Sequence, residues 1–272
     1  MRFNCSPVVK WVGGKRQLLG EIEKRIPKFE RYFEPFIGGG ATLFNFQPKD
    51  SFISDINGDL INLYKTVRDF PEELIESLKI HQNSPEYFYE IRNLDRSENF
   101  KNLSNVEKAS RFLYLNKSGF NGLYRVNSRG EFNVPFGKYK NPVYAIPENI
   151  RECSRFLKSV KIKHGDFELF RDEIQKGDFF YLDPPYFPVS KTSNFVSYTK
   201  ESFNFDDQKR LLNFLKLVDK KGGKFLLSNS YSDEVLEFYK DFKIDIVEAG
   251  RSINSKGNKR GKVREILVLN YK

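Results

Sequence analysis

Two cysteines in 272 residues, Cys5 and Cys153, are too few for a disulfide framework, and neither sits in a C-x-x-C or paired His/Cys arrangement. Histidine is equally scarce. With only His81 and His164, the composition argues against a zinc site or a histidine-based nucleophilic triad, and no metal is expected. No run of apolar residues approaches a membrane span, and the amino-terminal MRFNCSPVVKW lacks the apolar stretch of a signal peptide. A soluble, cytoplasmic protein with no membrane partner is the expectation. Internal repeats and low-complexity tracts are also missing.

What is present is positive charge and aromatic carbon. The 46 Lys and Arg against 36 Asp and Glu give a formal charge of +10, which favours a polyanionic partner such as nucleic acid. Hydrophobic residues, at 39%, suffice for a core. QLLGEIEKRIP places Leu18, Leu19, Ile22 and Ile26 at helical spacing until Pro27 stops the run. RYFEPF and SFISD read as strands flanking a helical ATLFNF, so a right-handed strand, helix, strand unit is expected. From 61 to 154 the character turns helical, except for SGFNGLYRVNSRGEFNVPFG, whose NSRGE turn predicts a hairpin near 118–137. Strands return in VKIKHGDF, DFFYLDPPY and KFLLSNS, and FKIDIVEAG with KVREILVLNY closes the chain as an antiparallel pair. The fold class is α/β: a Rossmann-like, mostly parallel sheet from 1–60 and 155–272, closed by an antiparallel hairpin and interrupted by a helical insertion at 61–154.

Three strands in this reading end at carboxylates, Asp55, Asp166 and Asp183. Ligands of open α/β sheets bind outside the carboxyl ends of the strands, so three acids on that rim suggest a site. Each has a plainer reading. FEPFIGGGATLF suits a backbone that must approach a ligand, or simply a tight turn, and Leu43 stands where G-x-G-x-x-G would have its last glycine. Asp55 suits ribose hydroxyls or the N-cap of NGDLINLY, and Asp166 suits an exocyclic amine or a turn. Asp183, at the mouth of an apolar run in GDFFYLDPPYFP, is expensive to bury unless something pairs with it.

At DPPY the chain resembles the S-adenosylmethionine-dependent DNA adenine N6-methyltransferases. KWVGGK, FEPFIGGG, a recognition insert and then DPPY follow the alpha order of that family, and FNGLYRVNSRGEFNVPFG and RGK are similar to its Dam-like, GATC-methylating group. The resemblance implies a catalytic domain at 1–60 and 155–272 and a DNA target-recognition domain at 61–154. It also implies S-adenosyl-L-methionine as cofactor, with S-adenosyl-L-homocysteine as product. Trp11, Lys15, Phe36, Gly38 and Gly40 would line the methionine part, Asp55 would take the ribose, Asp166 and Phe167 would face the adenine, and Asp183 would border the methyl group. The partner implied is double-stranded DNA, and a cognate restriction endonuclease acting on the same site is compatible with the resemblance, without a stable complex.

The chemistry of DPPY suits that role. An exocyclic amine conjugated into adenine is a poor nucleophile, and acceptors on its two protons draw it toward a tetrahedral shape. Asp183 and the carbonyl of Pro184 would be those acceptors and Tyr186 the stacking face, with the base flipped out at a cost of about a few kcal/mol. The segment FPVSKTSNFVSYTKESFNF would cover it, with Phe195 and Tyr198. By resemblance Phe120 is a wedge, and Asn121, Leu123, Arg125 and Pro135 contact the site. Lys10, Arg129, Lys138 and Lys140, with Arg251, Lys256, Lys259, Arg260 and Lys262, are candidates for phosphate contact. A methyltransferase for RNA or protein amides, a nicotinamide dehydrogenase and a non-catalytic DNA-binding regulator are the competing readings.

Overall fold

Strand β1 (Arg31–Glu34) alternates its side chains between two buried layers, and the rest of the fold is organised on those layers. The computed structural model describes residues 2–186, 203–250 and 262–272, with backbone alone at 249–250 and 262–263. Tyr32 faces one core and Phe33 the other, as do Phe179 and Phe180 in β4 (Asp178–Leu182) and Leu226 and Leu227 in β5 (Lys224–Ser230). A sheet buried on both faces needs near-continuous apolar strands, which is why DFFYL carries no polar alternation between its ends. Phe33 stacks between Phe52 and Phe180, with ring centroids 4.6 and 4.5 Å away, and ties three neighbouring strands together.

Seven strands among the described residues form one sheet, ordered β3-β2-β1-β4-β5-β7-β6. β2 (Ser51–Asp55), β3 (Val160–His164), β1, β4 and β5 are mutually parallel. β6 (Lys243–Gly250) and β7 (Lys262–Leu269) are the antiparallel pair read from the sequence. β7 also pairs antiparallel with β5, so it lies inside the sheet and leaves β6 at the edge. The mostly parallel α/β fold closed by an antiparallel hairpin is therefore observed.

The first helix is shorter than its apolar spacing suggests. A 3-10 turn at Lys15–Gln17 precedes α1 (Leu19–Glu23), which still buries Leu18 and Ile22. α2 (Ala41–Phe46) follows the glycine loop. Between β2 and β3 lie α3 (Gly58–Asp69), α4 (Pro71–Leu78), α5 (Pro85–Asn93), α6 (Asn105–Ser118) and α7 (Pro147–Leu157). Their buried residues, Phe112 and Tyr114 among them, join the same core as Tyr32 and Phe179. α8 (Phe205–Lys220) and α9 (Asp233–Phe238) cover the opposite face through Leu211, Phe214, Leu215, Val218 and Val235. No helix among the described residues is long and apolar enough to cross a membrane.

The expected hairpin is looser than a strand pair. Antiparallel bridges join Gly119 to Phe136 and Val126 to Phe132, without a continuous ladder between them. Asn127 shapes its turn, accepting from the Arg129 and Glu131 amides through Oδ1 and donating to the Glu131 carboxylate at 2.7 Å. Phe132 and Val134 are buried in the core, so packing rather than pairing holds this segment.

Candidate active site

Asp183 follows the last residue of β4, and its partner is Lys15. The ammonium lies 2.7 Å from Asp183 Oδ1 and donates to the Gly13 carbonyl at 2.8 Å. It also sits 4.6 Å over the ring of Tyr186. Only 5% of the Lys15 side chain and 22% of Asp183 remain exposed. Burial raises the Asp183 carboxyl above its usual range, Lys15 opposes that, and Glu265 adds to it. The Tyr186 hydroxyl donates to Glu265 from β7.

The rim holds more acid than the three carboxylates of the sequence. Glu34 closes β1 in full burial and accepts from the Tyr32 hydroxyl at 2.7 Å. Burial pushes its carboxyl well up, and Asp183 pushes the same way. Glu34 could have been found from sequence, since it ends FE in FEPF as Asp55 ends SFISD. Glu265 could not, because it stands in mid-strand, ahead of the apolar run ILVL.

The glycine loop is built around Trp11. Gly38 and Gly40 have φ of +47° and +71°, a region that favours glycine. A Cβ on Gly38 would lie 2.9 Å from the Trp11 indole, and one on Gly39 2.8 Å from the Trp11 Cβ. The Tyr64 hydroxyl fixes the loop by donating to the Gly38 carbonyl at 2.9 Å. Asp55 accepts from the Gly38 amide at 3.0 Å and the Asn57 amide at 2.9 Å. The N-cap considered for Asp55 belongs to Asn57, whose side chain accepts from the Leu60 amide. Asp55 thus ties β2 to the glycine loop, and burial raises its carboxyl.

Phe36 stacks on Phe167 at 5.4 Å, and Phe203 meets both edge-on. Asp166 lies two residues beyond β3. It caps the turn at Phe167–Glu173 by accepting from the Glu168 amide, so the turn role is realised. Arg210, which no motif singles out, donates to Asp166 at 2.8 Å and lies 5.0 Å over the Phe167 ring.

The DNA-binding candidates gather beside the amino-terminal segment. Asn116 on α6 accepts from the Lys10 amide and donates to the Lys10 and Gly122 carbonyls. A Cβ on Gly122 would lie 2.6 Å from the Lys10 side chain, whose ammonium is 4.5 Å over Tyr139. Phe120, half exposed, donates its amide to the Pro135 carbonyl. Asn121 and Lys138 are exposed, with φ of +56° and +55°. Leu123 packs partly into the core, and Arg125 is held within the hairpin by Asn133 Oδ1 at 2.7 Å. The segment from Lys10 to Lys15 therefore touches the hairpin, the glycine loop and Asp183 in turn. Phe195, Tyr198, Arg251, Lys256, Lys259 and Arg260 lie outside the described residues, as does the side chain of Lys262.

A buried acceptor, an aromatic face and a glycine loop at the carboxyl ends of a parallel sheet suit group transfer to a nitrogen. The family description "D12 class N6 adenine-specific DNA methyltransferase" matches residues 11–253. The chain belongs to that family. It is an adenine-specific DNA methyltransferase. It is 49% identical over 275 residues to the type II methyltransferase M1.LlaDCHI of Lactococcus lactis subsp. cremoris, covering 99% of this chain and 97% of that one. It is 44% identical to the type II methyltransferase M.MjaIII of Methanocaldococcus jannaschii, covering 99% and 100%. The DNA adenine methylase of Escherichia coli is 36% identical, covering 96% and 94%.

Proposed function

We propose that this methyltransferase carries a methyl group from S-adenosyl-L-methionine to N6 of an adenine flipped out of duplex DNA, within GATC, and releases S-adenosyl-L-homocysteine. The observation that carries the reading is the Lys15 ammonium, a nitrogen donor already hydrogen-bonded to Asp183 over the face of Tyr186. An exocyclic amine needs the same acceptor and the same face.

The residues fit the cofactor. Gly38 and Gly39 leave no room for a Cβ because the Trp11 side chain fills that space, which seats the indole against the loop. Each Asp55 oxygen accepts one amide and keeps capacity for a ribose hydroxyl. Phe36 and Phe167, with Asp166, offer a stacking surface and an acceptor for the adenine end. Lys15, Gly40 and Trp11 lie toward the methionine end. Bound there, the cofactor supplies its own electrophile, a methyl on a sulfonium.

The protein aligns an in-line transfer and polarises the amine. Asp183 accepts one amine proton and the Pro184 carbonyl the other, and Tyr186 stacks the base. An amine is too weak an acid to be deprotonated first, so its proton leaves with or after methyl transfer.

Residues 61–154 are assigned to target recognition. Phe120 would wedge the duplex, Asn121, Leu123, Arg125 and Pro135 would read the site, and Lys10 and Lys138 would meet phosphate. Two of the relatives are named type II methyltransferases, which supports a place beside a cognate restriction endonuclease acting on the same sequence, without a stable complex. The test is incubation with tritiated S-adenosylmethionine and duplexes with and without GATC. Label in the GATC duplex alone is expected; label in both removes the site assignment, and label in neither removes the cofactor and reaction as written.

A further inference from the structure

We propose that Glu265 is a positioning residue for Tyr186, holding the phenol from β7 and so setting the plane on which the target base stacks. This rests on the reading of the site given above. Tyr186 lies four residues beyond the end of β4, where no sheet ladder fixes its direction. Its ring is held instead through side chains: the hydroxyl donates to Glu265, and Lys15 lies over the face. Lys15 must leave that face when a base takes it. Glu265 is then the contact that keeps the ring in place.

The anchor is well made. β7 pairs with β5 on one side and β6 on the other, with Glu265 opposite Ser230 and Val247. Ser230 ends β5, so Glu265 is paired at the carboxyl end of the strand next to β4. A hydrogen bond to an ionised acceptor is shorter and stronger than a neutral one, so a carboxylate holds a phenol more firmly than a backbone carbonyl would. Glu265 also bears on Asp183 through its charge, which makes the two effects separable by substitution.

Three variants test this: Glu265→Leu, which removes acceptor and charge; Glu265→Gln, which keeps an acceptor; and Tyr186→Phe, which removes the hydroxyl and leaves β7 intact. Single-turnover methylation and the fluorescence of a duplex with 2-aminopurine at the target are read with DNA and cofactor saturating. Misplacing a reacting group by about 1 Å costs up to roughly 100-fold, so a rate loss of about 10- to 100-fold is expected for Glu265→Leu and Tyr186→Phe, with DNA affinity within about threefold. Glu265→Gln should recover most of the rate, the double variant should be no worse than either single one, and the flipped base should be brighter where the ring no longer quenches it. Glu265→Gln as slow as a folded Glu265→Leu overturns the proposal, and Tyr186→Phe at the wild-type rate overturns it even if Glu265→Leu fails to fold. A wild-type enzyme that neither methylates nor flips the probe overturns the functional reading instead.

Discussion

Replacing Lys15 by methionine and Asp183 by asparagine, singly and together, measures how the resting site is balanced. At 2.7 Å and an effective dielectric constant near 20, the pair attracts by about 6 kcal/mol. Partial exposure of Asp183 and the loss of hydration on both ions reduce that to roughly 3 kcal/mol of net coupling. Each single substitution leaves an uncompensated group and should cost about 2 kcal/mol, while the double replaces the pair by neutral side chains and should cost about 1 kcal/mol or less. Urea unfolding without cofactor, followed by the fluorescence of the single tryptophan, Trp11, reads these values beside the site itself. Costs that add within about 0.5 kcal/mol would refute the pair as a feature of the free enzyme. Activity gives a second arm. On the proposed reading Asp183 accepts as a carboxylate, so the rate should fall as pH drops through its raised pKa; removing Lys15 takes away the charge that opposes burial, and the acid limb should move to higher pH.

Arg125→Ala should lose about 1 to 3 kcal/mol of discrimination at one base pair in competition binding with single-substitution duplexes, and an equal loss on every sequence would contradict base reading. Gly38→Ala forces a Cβ against the Trp11 indole at positive φ and should cost about 1 to 3 kcal/mol together with S-adenosyl-L-homocysteine affinity in calorimetry, whereas Gly20→Ala, with open space at its Cβ, should cost nothing. Burial holds His81 down to about 4, below its unfolded value of 6.5. The unfolded chain therefore binds the proton first, and stability should be full above about pH 6.5 and fall by roughly 2 to 3 kcal/mol as pH drops toward 4. His81→Phe should flatten that part of a urea-midpoint pH series.

The inner parallel strands were legible because they carry short apolar runs bounded by glycine, proline or acid, and burial on both faces leaves no other use for FISD or DFFYL, whereas β3, VKIKH at the sheet edge, was legible from its alternation. The position of β7 between β5 and β6 was not, since sequence gives the hairpin but not which of its strands meets the sheet. Asp55 showed the limit of single-residue reasoning. Its cap role went to Asn57, two residues on, and its carboxylate turned back to the Gly38 amide, a contact between segments 17 residues apart. For Asp183 the apolar run announced a buried acid, but Lys15 was assigned to the methionine end by resemblance, and nothing in KWVGGK announced an ammonium reaching Asp183.

Strand direction explains why Glu265 is harder to see in the sequence than Asp55 or Asp183. In a parallel strand the residue on the functional rim is the last one, so Asp55 and Asp183 announce themselves where apolar runs stop. β7 runs the other way, and its rim residue precedes the apolar run ILVL instead of ending it. Read forward, the glutamate looks like one of the solvated charges in KVRE that lead into the apolar half of the strand. In its antiparallel pairing it stands opposite Ser230, the last residue of β5, and its carboxylate accepts from the Tyr186 hydroxyl beyond the sheet. In this mostly parallel sheet the rim acids therefore follow the apolar run in the parallel strands and precede it in the antiparallel one.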